Sequence, residues 1–143
     1  MRKQLLALLF VVAAGMFSAN AQSVTGKWKT VDDETGEAKS IVEIYEQNGK
    51  IYGKIVEILN PAKKNSKCTK CKGADKDKPI NGLVIIKGLT KDGSEYTDGD
   101  ILDPVKGKLY SCTIELDGKD KLNVRGYMGI SLLGRTQTWS RVK

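Results

Sequence analysis

The chain has 143 residues, with 24 Lys and Arg against 17 Asp and Glu, a formal net charge of +7, and no histidine. Without histidine there is no Ser-His or Cys-His nucleophilic pair, no imidazole general base and no His-ligated haem or zinc, which excludes most common hydrolase mechanisms. Carboxylate, lysine and tyrosine chemistry stay open, and the length fits one domain able to bury a core without disulfides.

Arg2 and Lys3, an apolar run over 5–17 and then Ala19-Asn20-Ala21 have the form of a secretory signal with a small-residue cleavage site. The expected division is a cleaved leader, 1–21, and a single mature domain, 22–143, beginning at Gln22. The apolar run is short for a membrane span and polar sequence follows it, so an uncleaved anchor is the weaker alternative. No cysteine lies near the cleavage point, which argues against a diacylated lipoprotein. The expectation is an exported, soluble protein, periplasmic or secreted, with no transmembrane segment in its mature form.

Beyond the leader there is no convincing helical period. Short β-rich runs recur between Gly, Asn, Asp and Pro, the pattern of an all-β barrel or sandwich. Residues 24–31 alternate, with Val24, Gly26, Trp28 and Thr30 on one side. Residues 40–58 form a hairpin, because Asn48-Gly49 supplies two turn residues that tolerate positive φ. A two-residue turn there sets Val42 opposite Ile55, Ile44 opposite Gly53 and Glu46 opposite Ile51. The other face then pairs Tyr45 with Tyr52 and Glu43 with Lys54, a consistent register.

A long lysine-rich loop, 60–80, carries Cys68 and Cys71. Residues 82–89 are apolar on both faces, and a short strand is expected near 100–102. Asp103-Pro104 fits the first two positions of a type I turn. Residues 108–116 alternate with Tyr110, Cys112, Ile114 and Leu116 inward, and Asp117-Gly118 turns the chain into 121–127. An apolar tip, 128–133, precedes the last strand, 134–142. About eight strands close a small antiparallel up-and-down β-barrel, with a sandwich as the alternative.

Gly26-Lys27-Trp28 resembles the Gly-x-Trp signature of lipocalin-like barrels. Together with Asp103-Pro104-x-x-Gly107-Lys108-x-Tyr110, Arg125-Gly126-Tyr127 and Gly134-Arg135-Thr136-x-Thr138-Trp139-x-Arg141, it resembles the secreted, lipocalin-like domain-of-unknown-function family 2147. The resemblance spans essentially the whole mature chain. It implies an all-β barrel of lipocalin or calycin type and an exported protein, and it implies no reaction. It further implies that Trp28 plugs the closed end, with Arg135 or Arg141 as a cation–π lid.

The last strand admits two readings. Alternation sets Arg135, Gln137, Trp139 and Arg141 against Thr136, Thr138 and Ser140. If the first set faces inward, the interior is arginine-lined and suited to a carboxylate or phosphate. Charge stripes are usually solvated, which favours the outward reading. The candidate ligand-binding residues are Trp28, Tyr110, Arg135, Gln137, Trp139 and Arg141. No catalytic residue, metal site or cofactor is assigned.

Cys68 and Cys71 in an oxidising compartment predict a local disulfide, ahead of thiol redox chemistry and of a metal site, which lacks two further ligands. Cys112 is the odd thiol and is expected to be free and buried. Lys63, Lys64, Lys67, Lys70, Lys72, Lys76 and Lys78 are expected to be solvated. Nucleic acid is disfavoured by interspersed Asp75 and Asp77 and by the lack of stacking aromatics. Three functions follow: a barrel holding a small apolar or amphipathic ligand; an envelope interaction protein meeting a partner protein or anionic surface through the lysine loop and the tip residues Met128, Ile130, Leu132 and Leu133; and, last, a thiol redox protein.

Overall fold

A computed structural model describes residues 23–129 and 134–143. The leader, with its cleavage site, and tip residues Ile130, Leu132 and Leu133 lie outside the described residues. The chain runs β1 (Gly26–Val31), β2 (Ala38–Gln47), β3 (Lys50–Ile58), β4 (Val84–Asp92), β5 (Glu95–Asp103), β6 (Lys108–Asp117), β7 (Lys121–Tyr127) and β8 (Arg135–Arg141). Each strand pairs antiparallel with the next, and β1 pairs with β8 through Trp28↔Arg141 and Lys29↔Ser140. Closure removes every sheet edge, so the architecture is an up-and-down barrel and the sandwich alternative falls.

The β2–β3 hairpin has the register its sequence predicts. Val42↔Ile55, Glu43↔Lys54, Ile44↔Gly53, Tyr45↔Tyr52 and Glu46↔Ile51 pair across an Asn48-Gly49 turn in which both residues have positive φ. The tyrosine rings stack on the outer face with centroids 5.8 Å apart. Val42, Ile44, Ile51 and Ile55 point into the core, joined there by Ile86, Leu89, Ile114 and Leu122. Burying such side chains stabilises the fold by roughly 1.5–3 kcal/mol each.

Two strands differ from expectation. β4 begins at Val84 and runs on to Asp92, and β5 has nine residues where a short strand near 100–102 was expected. β5 is longer because it continues through a bulge at Asp98-Gly99. Asp98 adopts φ 63°, and the β5–β6 register shifts between Tyr96 and Gly99. A Cβ on Gly99 would collide with the carbonyl oxygen of Lys87, so the two strands approach too closely there for a side chain.

The segment between β3 and β4 is a strap more than an open loop. It carries two short 3-10 turns, Pro61–Lys63 and Gly73–Asp75, and a bridge between Lys67 and Pro79. Its lysines are exposed, while Cys68, Cys71 and Leu83 join the core cluster. Cys68 and Cys71 form a disulfide and are 0% and 2% exposed. The Sγ of Cys68 lies 3.3 Å from the Pro104 carbonyl oxygen, and the Lys70-Cys71 backbone packs on Gly107 in the β5–β6 turn. That turn is capped as its sequence predicts: Asp103 Oδ1 accepts from the amides of Val105 and Lys106, and the Gly107 amide donates to the Asp103 carbonyl.

A candidate ligand pocket at the open end of the barrel

The two ends of the barrel are built differently. At the closed end Trp28 is 0% exposed, and its indole N–H donates to the Val24 carbonyl at 2.8 Å. Arg141, from β8, lies over the ring with its Cζ 4.3 Å from the centroid. Its guanidinium donates to three backbone carbonyls, those of Lys119 (2.7 Å), Ser23 (2.8 Å) and Thr25 (3.1 Å). Gly26 adopts φ +127°, and a Cβ there would stand 3.0 Å from Arg141 Nη1. The Gly-x-Trp pattern thus has a mechanical meaning: the glycine makes room for the arginine that covers the tryptophan.

At the other end lies a cavity of about 430 Å³. Ile55, Ile85, Ile101, Val124 and Trp139 form its apolar floor, while Asp33, Lys39, Lys106, Tyr110, Arg135 and Gln137 supply polar groups around it. Gly126 contributes bare backbone to one wall. Val105, Leu109 and Met128 are exposed apolar side chains, and Met128 lines the cavity as well.

The last strand corrects the outward reading. Trp139 is 2% exposed and Gln137 half-buried, whereas Thr136, Thr138 and Ser140 are exposed. The set Arg135, Gln137, Trp139 and Arg141 therefore faces the interior side. The physical reason is Trp139: burying its ring outweighs whatever solvation the two arginines gain, and both arginines sit where the strand meets a barrel end. The six candidate residues separate accordingly. Tyr110, Arg135, Gln137 and Trp139 line the cavity; Trp28 and Arg141 stand at the opposite end and do not.

The polar side of the pocket is a short relay. The Trp139 indole N–H donates to Gln137 Oε1 at 2.9 Å, which orients the Gln137 amide so that Nε2 points outward. That Nε2 donates to Asp33 Oδ1, and Arg135 Nη1 donates to Asp33 Oδ2 at 2.8 Å. One carboxylate thus spans two donors two residues apart on β8. Burial alone would raise the Asp33 pKa, but the hydrogen bonds from Arg135 and Gln137 outweigh it, and the carboxyl is held below its usual range. Asp33 is placed by its neighbour: Asp32 Oδ1 accepts from the amides of Glu34 and Thr35, folding the β1–β2 loop back on itself.

Sequence inspection missed Asp33 and Lys39 as pocket residues. Asp33 lies 102 positions from Arg135, and nothing local marks it. Cys112, by contrast, is the free buried thiol expected, with its pKa pushed up to about 12 by burial and by nearby Asp100. Among the described residues no group of His, Cys, Asp and Glu could hold a metal ion, and no helix is long and apolar enough to cross a membrane.

A closed eight-stranded antiparallel barrel, plugged at one end by a Trp–Arg pair and open at the other, is a lipocalin-like barrel. A solved structure from the human pathogen Helicobacter pylori, HP1028, described as belonging to the lipocalin family, superposes with a TM-score of 0.75 over 85% of this chain and 84% of that one. The two are 22% identical, so the likeness speaks to the fold alone. No curated protein sequence matches the chain. The family model described as "Uncharacterized protein conserved in bacteria (DUF2147)" matches residues 26–141, and the chain belongs to that family.

Proposed function

We propose that this chain is an exported binding protein that holds a small, partly apolar ligand in the cavity at the open end of its barrel. The observation that carries the reading is the cavity itself. Its volume of about 430 Å³ falls within the roughly 300–1,000 Å³ of small-molecule sites, and its apolar floor with a few converging polar groups is the usual composition of such sites. Export is supported by the leader and by the Cys68–Cys71 disulfide, a bond favoured in oxidising compartments. The burial of both cysteines runs against thiol exchange, which needs an attackable sulfur.

Native mass spectrometry of the protein purified from its own envelope tests the proposal, with Gly126→Val as the blocked control. A Cβ at Gly126 would meet Ile101 Cγ2 at 3.5 Å and Tyr110 Cβ at 3.6 Å, ordinary contacts, so a side chain there projects into the cavity and narrows it. Wild type should carry a reproducible added mass that Gly126→Val lacks. Equal spectra for the two proteins, together with no binding of an apolar fluorescent probe, would sink the reading.

A further inference from the structure

Asp33 answers a question about the pocket that its shape alone leaves open: what kind of head group it takes. The Arg135 guanidinium and the Gln137 amide converge on a single carboxylate, each bonded to a different oxygen. The Gln137 half of the fork is held from behind by the indole of Trp139, itself packed in the core, while Arg135 reaches Asp33 from an exposed position. The carboxylate in front is not held that way. It belongs to an exposed residue of the β1–β2 loop, and the Arg135–Asp33 pair is itself solvent-accessible, with the side chains 68% and 36% exposed. Exposed ion pairs of this kind are worth roughly 0.2–1 kcal/mol and exchange readily.

The surrounding charge favours an anion. Lys39 and Lys106 also line the cavity, and neither forms an ion pair among the described residues. The other acidic residue at the cavity, Asp103, has its Oδ1 engaged by the turn amides of Val105 and Lys106. The apolar floor then lies behind the fork, with Trp139 reaching from one to the other.

We infer that Arg135 and Gln137 form the head-group site for an amphipathic carboxylate whose apolar tail enters the cavity, and that Asp33 is an internal occupant of that site which the ligand displaces. This rests on the binding reading proposed above and adds the ligand class and a built-in competitor. The ligand carboxylate takes over both donors, and the Asp33 side chain turns out into solvent while the hydrogen-bonded loop stays in place. A two-oxygen group is what the fork matches, since one donor from each residue meets a different oxygen of one carboxylate.

The test uses isothermal titration with decanoate, decanol and decylamine, which share a tail and differ in head group, on wild type, Asp33→Ala, Arg135→Gln and the double variant. Decanoate should bind wild type in preference to decanol and decylamine. Asp33→Ala should tighten decanoate by up to about fivefold, the equivalent of the lost competing pair, and leave decanol unchanged. Arg135→Gln should weaken decanoate by about tenfold or more, and the double variant should show no gain from removing Asp33. Lengthening the carboxylate tail should strengthen binding by roughly fourfold per methylene until the floor is filled.

If decanol binds as well as decanoate in every variant, the head-group assignment falls while the binding reading stands. Preference for decylamine overturns it outright, making Asp33 the receptor. If none of the three probes binds wild type or Asp33→Ala, both readings fall together. Thermal unfolding of each variant separates lost binding from lost folding.

Discussion

Each end of this barrel joins a tryptophan to an arginine of β8, and the two arrangements behave in opposite ways. At the closed end Arg141 covers Trp28 and spends its donors on the carbonyls of Ser23, Thr25 and Lys119. Backbone acceptors cannot leave, so that arginine is structural. At the open end Arg135 faces a side-chain carboxylate on an exposed loop, with Trp139 acting indirectly through Gln137. Side-chain acceptors on loops can be replaced. What separates the plug from the candidate binding site here is the kind of acceptor the guanidinium meets, and both arginines come from one seven-residue strand.

The comparison is broken most directly at Trp28. Trp28→Ala should destabilise the barrel by about 3–5 kcal/mol, because a fully buried ring leaves a cavity beneath Arg141. Chemical denaturation measures this, and a loss below 1 kcal/mol would mean that the closed end is not a packed plug. Thermal stability of Trp28→Phe should lie between the two.

Cys112 marks where the packed half stops. Its strand partner Gly126 lines the cavity, yet the thiol is 0% exposed and its pKa is pushed up to about 12. The unfolded thiol ionises near its ordinary value of 9.0 while the folded one stays protonated. The unfolded chain therefore loses its proton first, and stability present below pH 9.0 declines as pH rises towards about 12. Cys112→Ala should lose stability at neutral pH through its cavity but show a flatter decline above pH 9.0, read from denaturation midpoints across that window. Parallel curves for the two proteins would show that the thiol is wetter than its burial indicates.

The two arginines give the sharpest contrast at smaller magnitude. Arg141→Gln should cost about 1.5–3 kcal/mol, since three carbonyls lose a charged donor and the indole its cation. Arg135→Gln should change stability by less than about 1 kcal/mol, as an exposed pair does. Equal losses at both positions would erase the distinction between the ends.

The β2–β3 hairpin was legible because three local signals agree: Asn48-Gly49 sets the turn, apolar alternation sets the face, and the Tyr45–Tyr52 and Glu43–Lys54 pairs set the register. The short strand expected near 100–102 is instead the nine-residue β5, which runs through a bulge at Asp98-Gly99, since backbone freedom at such a pair serves a turn or a bulge. The local sequence does not announce the close approach of the Lys87 carbonyl across the sheet, which leaves room only for glycine at position 99.

By itself the sequence determined that this is an all-β chain, where most strands lie, how one hairpin is registered, and that Cys112 points inward. These properties follow from period-2 alternation and turn chemistry, which act over a few residues. Tertiary structure alone decided which face of β8 is the inside, which arginine covers Trp28, and that Asp33 meets Arg135. Alternation defines two faces without saying which is buried, and a contact between the first loop and the last strand exists only once β1 pairs with β8. Closing the barrel brings the first and last strands together, and the candidate head-group site lies beside that seam.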